Sequence, residues 1–354
     1  MESRQFDFYG VRAIVRSDDM DLLTELERDF RFFSRKHLSE DGSNKVQIEL
    51  ECRGETPPNE LPYLTTNWIN SRCTVYQDPA SGEKWIWYYN GGALVHWNQK
   101  RDRGTIWSTK PEMLHELAYL LILSRIGERW DERGLHRLHA AALSWNHQAL
   151  LLCLPSGGGK TTFAMQALKH PGLKLLSDDM PVIDRTGNVL AFPNRIGLCE
   201  EPALQIPRNF VRIFLRQEHG VKWLIDTEAF AGKVVPRALP GWIFVGARRL
   251  RGAPTIVAIS RWEAWKELFR SGVVGVGLPQ VVELFLNTGW RDLIAKAKIA
   301  FSRSVAMYKL LIRSKTFRFE LSTDREKNLS VFLHFLEMQT ATQSEPAGVI
   351  SPAQ

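Results

Sequence analysis

Cysteine is scarce in this chain of 354 residues, with only Cys52, Cys73, Cys153 and Cys199 spread along it and no CxxC pair. That usage excludes a disulfide framework and a thiolate zinc site of ordinary spacing. Long apolar runs are missing as well. The longest, residues 117–123, falls far short of the ~20 residues that a membrane-spanning helix needs. The start, Met1-Glu2-Ser3-Arg4-Gln5, has no apolar stretch of the kind found in secretory leaders. A cytoplasmic protein without membrane attachment is therefore expected. Blocks of one charge are absent too: 46 basic and 39 acidic residues give a net charge of +7, spread along the chain. Its tightest basic cluster, Arg248, Arg249 and Arg251, reads as a solvated edge, and no nucleic-acid partner is expected. No internal repeat is visible. What is present, 44% hydrophobic and 24% charged residues, suits a globular protein, and the length suits two domains.

The first 130 residues read as an α+β domain with a conjectured part in substrate recognition. Met20, Leu22, Leu23 and Leu26 recur at helical spacing, and residues 46–50 alternate like a strand. Residues 84–89 and 93–97 flank Asn90-Gly91-Gly92 and predict a hairpin, with a further strand at 105–107. Pro111 opens an amphipathic helix running towards Ile126. Six tryptophans lie in this part. A binding platform is conceivable, but half-buried strands more often use such rings as core.

From residue 131 to 338 the pattern becomes α/β. Strands are predicted at 139–145 and 149–154, and the uniformly apolar Ala149-Leu150-Leu151-Leu152-Cys153-Leu154 suits a strand buried on both faces. Pro155-Ser156-Gly157-Gly158-Gly159-Lys160-Thr161-Thr162 follows, then a helix to about Lys169, a strand at 173–177, and Asp178-Asp179. Residues 180–184 and 189–192 predict a second hairpin. Further strands are expected at 242–245, 255–258, 308–312 and 317–321, with helices at 261–269 and 290–300. Thr323 and Glu326 form a capping-box start for a last helix to about Met338. Residues 339–354 read as a disordered tail.

The glycine-rich segment fits a phosphate-binding loop. Bare glycines let backbone N–H groups turn towards phosphate oxygens, a lysine reaches the outer phosphates, and a hydroxyl ligates Mg²⁺ at the positive end of the following helix. Pro155, Ser156, Gly157, Gly158, Gly159, Lys160, Thr161 and Thr162 are the candidate nucleotide-binding residues. The usual pattern begins with glycine where this chain has Leu154. Asp178 and Asp179, closing the next apolar strand, are placed to meet a bound metal and the terminal phosphate.

Three segments together, Leu138-His139-Ala140-Ala141-Ala142-Leu143, the loop, and Leu175-Leu176-Ser177-Asp178-Asp179, resemble the HPr kinase/phosphorylase family and kinases related to it, over residues 135–338. The resemblance implies a kinase core shared with phosphoenolpyruvate carboxykinases and distinct from eukaryotic-type protein kinases. It implies phosphate binding by Lys160, Mg²⁺ binding by Thr161 with Asp179, proton acceptance by Asp178, and a place for His139 in the active site. Two departures stand out. Pro193-Asn194-Arg195-Ile196-Gly197 lacks the family's metal-binding Glu, and the region tied to the reverse, phosphate-removing reaction is not recognisable. Glu200 and Glu201 could substitute for that Glu or form a solvated pair. Arg195 could neutralise phosphoryl charge or sit at the surface. His136 and His147 have no comparable support.

The expected function is ATP- and Mg²⁺-dependent transfer of phosphate to a Ser/Thr hydroxyl of a protein or peptide, a ribosomally made precursor peptide being one candidate. A kinase for a small metabolite and a non-catalytic ATP-binding regulatory or interaction protein are the alternatives. Homo-oligomers are a further expectation, since the resembling kinases often assemble.

Overall fold

The computed structural model describes residues 1–34, 46–59, 65–69, 71–78, 80–155, 157–202, 206–216, 220–248, 252–278 and 290–344. Its first half is one mixed sheet covered by helices. β1 (Glu2–Phe8) and β2 (Val11–Ser17) form a hairpin, followed by β3 (Val46–Arg53), β4 (Thr65–Ile69), β5 (Cys73–Asp78), β6 (Glu83–Tyr88), β7 (Ala93–Asn98) and β8 (Arg103–Trp107). The order across the sheet is β1-β2-β3-β8-β7-β6-β5-β4. β3 pairs in parallel with both β2 and β8, and the other pairings are antiparallel.

Helix α1 (Met20–Asp29) starts where the Asp19 carboxylate accepts the Leu22 N–H. Helix α2 (Pro111–Arg133) has proline in its first turn and ends at Gly134, whose φ of 74° is left-handed. Phe6, Phe8, Phe30, Phe33, Trp97 and Trp130 are buried among these elements. The core reading thus holds for Trp97 and Trp130. Each such ring contributes about 2–3 kcal/mol by its burial. Met180, Val182 and Phe192 from the second half pack into the same core.

The second sheet contains β9 (His136–Arg137), β10 (Ala141–Trp145), β11 (Gln148–Cys153), β12 (Lys174–Ser177), β13 (Val182–Ile183) and β14 (Val189–Leu190). A small separate sheet follows, built from β15 (Ile196–Leu198), β16 (Val211–Arg216) and β17 (Gly220–Ile225) in the order β15-β17-β16. β18 (Arg237–Arg248), β19 (Thr255–Ala258) and β20 (Lys315–Leu321) then complete the second sheet. β11 and β18 are parallel, as are β18 and β20. β10 runs antiparallel to both β11 and β12, so β11 and β12 point the same way with β10 between them. Their C-terminal ends therefore share one edge of the sheet. The fold is mixed α/β.

The remaining helices are α3 (Lys160–Ala167), α4 (Arg261–Leu268) continuing into a π-helix at Phe269–Val274, α5 (Trp290–Ile312) and α6 (Arg325–Ser344). Three expectations change here. Residues 308–312 are the last turn of α5, not a strand; only Leu310 and Leu311 of them are buried, and so short an apolar run carries no marker that separates a strand from a helix end. Asp324, rather than Thr323, caps α6 by accepting the N–H groups of Glu326 and Lys327. Residues 339–344 belong to α6 and not to a disordered tail, while 345–354 lie outside the described residues. Among the described residues no helix is long and apolar enough to cross a membrane.

Candidate active site

β11 ends at Cys153 and the chain turns through Leu154 and Pro155 into the glycine run. Ser156 lies outside the described residues. Gly157 and Gly159 hold φ values of 74° and 92°, which a side chain would strain. A Cβ on Gly158 would come 2.9 Å from the Pro155 carbonyl oxygen, the acceptor of the Gly158 N–H in the turn. α3 starts at Lys160 directly after Gly159, so its first N–H groups face the loop.

Leu154 explains how the loop does without its customary first glycine. Its side chain is buried, and Gly246 of β18 leaves the room: a Cβ there would meet Leu154 Cδ2 at 2.6 Å. On the loop side its carbonyl oxygen accepts Lys160 Nζ at 2.8 Å.

Lys160 Nζ also donates to His139 Nε2 at 2.9 Å. With Lys160 as the ammonium, which can only donate, His139 accepts through Nε2 as the neutral imidazole that carries its proton on Nδ1. Nδ1 lies 3.4 Å from Asp179 Oδ1, but poorly aligned for a hydrogen bond. Burial lowers the pKa of both His139 and Lys160, and in each case the Asp179 charge opposes the fall. Asp179 Oδ1 is 3.9 Å from Lys160 Nζ.

The backbone sets this arrangement. The Ala140 N–H donates to the Asp179 carbonyl, the Leu138 N–H to that of Pro181, and the His139 N–H to that of Ser271. Ser177 Oγ braces the acidic turn, donating to the Phe192 carbonyl at 2.9 Å and accepting the Met180 N–H at 3.0 Å.

Asp178 is the most perturbed carboxyl of the group. Its Oδ2 accepts Thr161 Oγ1 at 3.2 Å, whereas Oδ1 is buried and has no hydrogen-bond partner. Burial first, then the neighbouring charge of Asp179, pushes its pKa up to about 7; Thr161, Lys222 and Lys160 pull it down. Two carboxylates with too little opposing charge suit a divalent cation. Thr161 Oγ1 and the Asp179 carboxylate would be the protein's share of its ligands. Among the described residues no group of three or more His, Cys, Asp and Glu side chains gathers to hold a metal. Such a site matches the way Mg²⁺ binds, through few protein ligands plus phosphate oxygens and water.

The structure thus brings together His139, Lys160, Thr161, Asp178 and Asp179. It pairs Thr161 with Asp178 rather than with Asp179. Pro155 and Gly157 are exposed on the loop, and Thr162 is half-buried on α3.

The residues that compete for a supporting role are elsewhere. Arg195 donates to Asp29 Oδ2 at 2.9 Å and stacks on the Tyr119 ring at 3.7 Å, inside a buried network with His115, Arg212 and Asp226. It neither serves the loop nor sits at the surface; it ties α1 and α2 to the small sheet. Asn194, where the resemblance would put Glu, donates to the Tyr119 hydroxyl at 2.5 Å. Glu200 and Glu201 are exposed, and Glu200 lies 3.6 Å from Arg325. His136 bridges Asp131 and Ser302, at 2.9 Å to each, joining α2 to α5. His147 is exposed in the β10–β11 turn, with φ 64°.

Sequence reasoning missed the cover over His139. Gly277, with φ 88°, passes so close that a Cβ would be 2.9 Å from the imidazole. Ser271, on the π-helix, holds the His139 backbone, and its hydroxyl donates to Glu267 Oε1 at 2.6 Å. No spacing in the chain marks these residues; π-helical turns do recur at functional sites. A cleft of about 640 Å³ lined by Gln166, Lys169, Arg325 and Glu337 lies at the far end of α3, away from this chemistry.

Neither a protein-family model nor a curated protein sequence matches the chain. Among solved structures it is similar to the Hpr(Ser) kinase/phosphatase from Coxiella burnetii, at 12% identity, over 59% of this chain and 95% of that one, with a TM-score of 0.26. So distant a likeness leaves the chemistry to be argued from the side chains of the present chain.

Proposed function

We propose that this protein is an ATP-dependent kinase that phosphorylates a Ser/Thr hydroxyl of a protein or peptide. The observation that carries the reading is Asp178: a buried carboxyl with one oxygen held by Thr161, the other without a partner, and a pKa of about 7. A base poised near neutrality is what proton abstraction from an alcohol requires.

The loop amides from Gly157 to Thr161 and the Lys160 ammonium would hold the polyphosphate of ATP. Lys160 would exchange its contacts with Leu154 and His139 for phosphate oxygens. Mg²⁺, held by Thr161 and Asp179, supplies charge neutralisation when bound. Asp178 would take the hydroxyl proton as the acceptor oxygen bonds to the γ-phosphorus and the bond to the leaving ADP oxygen breaks. His139, kept neutral, would orient Lys160 and Asp179. Most of the rate gain would come from this positioning and electrostatics.

A second reading is an ATP-binding regulator without transferase activity. It is favoured by one observation: Asn194 stands where the resemblance places a metal-binding Glu, and it is engaged with Tyr119. Incubation with γ-labelled ATP and host extract, followed by mass spectrometry, separates the readings. Label on a Ser/Thr of a protein or peptide supports the kinase; label on a small metabolite changes the acceptor class. Binding of ATP with no transfer to anything leaves the regulator.

A further inference from the structure

Helix α5 has apolar residues on two opposite faces. Ala306, Met307 and Leu310 are buried in the core beside Leu138 and Leu176. Tyr308, two positions from both Ala306 and Leu310 and so about half a turn away from each, points outward. Ile294 and Phe301 precede it at intervals of seven, about two turns each, so the three side chains stand in one line. Leu293 and Phe301 are 71% and 72% exposed, Tyr308 56%, Ile294 47% and Ile312 41%. Together they present on the order of 500 Å² of apolar surface, enough to mark an interaction site. Helices are stabilised mainly by packing an amphipathic face, yet each of residues 293–298 is exposed. Among the described residues no element covers this end.

The line itself carries no charge. Large Ile294, Phe301 and Tyr308 alternate with small Ala297 and Ser304, at the spacing of a coiled-coil seam. Lys296 and Lys298 flank it without entering it. Three nearby cations are engaged with their own chain: Arg303 pairs with Asp131, Lys309 donates to the Arg185 carbonyl and Arg313 to that of Thr186. The face thus suits an uncharged apolar surface better than an acidic partner or an anionic lipid. Its pattern is also self-complementary when reversed. With a two-fold axis beside Ala300 and Phe301, Leu293 of one copy meets Tyr308 of the other, Ala297 meets Ser304, and each Phe301 covers the other's Ala300.

We infer that the outward face of α5 is a self-association surface, on which a second copy of this chain lays its own α5 antiparallel about a two-fold axis at Ala300 and Phe301. Two copies contribute about 1,000 Å², the size at which specific interfaces begin. The pairing does not depend on the kinase reading.

The test is sedimentation equilibrium of the full chain over about 1–100 μM, where the wild type should form a dimer with a micromolar or tighter dissociation constant. Phe301→Asp, which puts an unpaired carboxylate at the centre, should weaken association at least about a hundredfold. Phe301→Leu should keep it. Because Phe301 is exposed in the single copy, Phe301→Asp should retain the wild-type circular dichroism; if it does not fold, Ala297→Glu on the same line takes its place. Cross-linking reads the direction of the pairing. In a Cys199→Ser background, Leu293→Cys mixed with Tyr308→Cys should give a disulfide-linked pair. Neither should do so by itself, because an antiparallel pair sets like positions about 22 Å apart. A wild type that stays monomeric over this range, or a dimer indifferent to Phe301→Asp, overturns the inference. So does cross-linking of either variant alone without the mixed pair. Binding of monomers to phosphatidylserine vesicles, lost in Phe301→Asp, overturns it in favour of a membrane surface.

Discussion

Replacing Asp178 by asparagine tests the site through stability as well as activity. The carboxyl has a folded pKa of about 7 against an ordinary 3.8, so the folded state prefers it protonated. Below pH ~4 both states are protonated, and folding carries no penalty from this group. As pH rises from there through 7, the unfolded chain ionises freely while the native carboxyl resists, and stability falls. At ~1.4 kcal/mol per unit the accumulated penalty above pH 7 is about 4 kcal/mol at most. Asparagine keeps the shape and removes the titration. Urea denaturation of both proteins at pH 5 and pH 8 should therefore show the variant gaining on the wild type by roughly 2–3 kcal/mol between the two conditions. The same variant should bind Mg·ATP and lose phosphoryl transfer by about 10²–10⁴-fold, the usual share of a general base. A stability difference that does not change between pH 5 and pH 8 would refute the claim that Asp178 is a strained, buried carboxyl. Undiminished transfer would remove it from the mechanism.

Three further perturbations probe the scaffold. Leu154→Gly restores the customary loop residue but empties a packed position against Gly246, so it should cost about 3–4 kcal/mol in chemical denaturation and bring no gain in nucleotide affinity by calorimetry. Gly277→Ala puts a Cβ 2.9 Å from the His139 ring at a φ of 88°; a loss of about 1–3 kcal/mol and a displaced His139 imidazole resonance in NMR are expected. Asp29 is held far below its ordinary pKa by Arg195, His115 and Arg212, against the opposing effect of its burial. Its contribution is present above pH ~4 and is lost as pH falls, and Asp29→Asn, which takes the carboxylate from Arg195 and leaves Arg212 only Asp226 and Glu25, should cost about 3–5 kcal/mol at pH 7 in denaturant titration.

The central unit was legible in the chain because its signals are local. An all-apolar strand, three consecutive glycines, Lys160-Thr161 and two acids after the next short strand fall within thirty-odd positions of one another, as roughly one βαβ unit does. His139 was found only through the resemblance, since a histidine ahead of an apolar strand has no local signature. What escaped is non-local. Arg195 meets Asp29 across a separation of 166 positions, so neither the phosphoryl role nor the surface role anticipated the buried network. Gly277 and Gly197 are needed because Cβ atoms there would strike His139 and Lys222, contacts that exist only after folding. Residues 308–312 read as a strand because a short apolar run fits either structure, and helix α5 extends upstream through exposed Leu293, Ile294 and Phe301, which blur the helical period.

The most direct measurement is calorimetric titration of the wild-type protein and of Lys160→Ala with Mg·ATP. Saturable binding in the wild type, weakened at least about tenfold when the ammonium is removed, is the predicted result. No heat in the wild type, or equal affinity in the two proteins, would contradict a polyphosphate site built from this loop and the aspartates facing it.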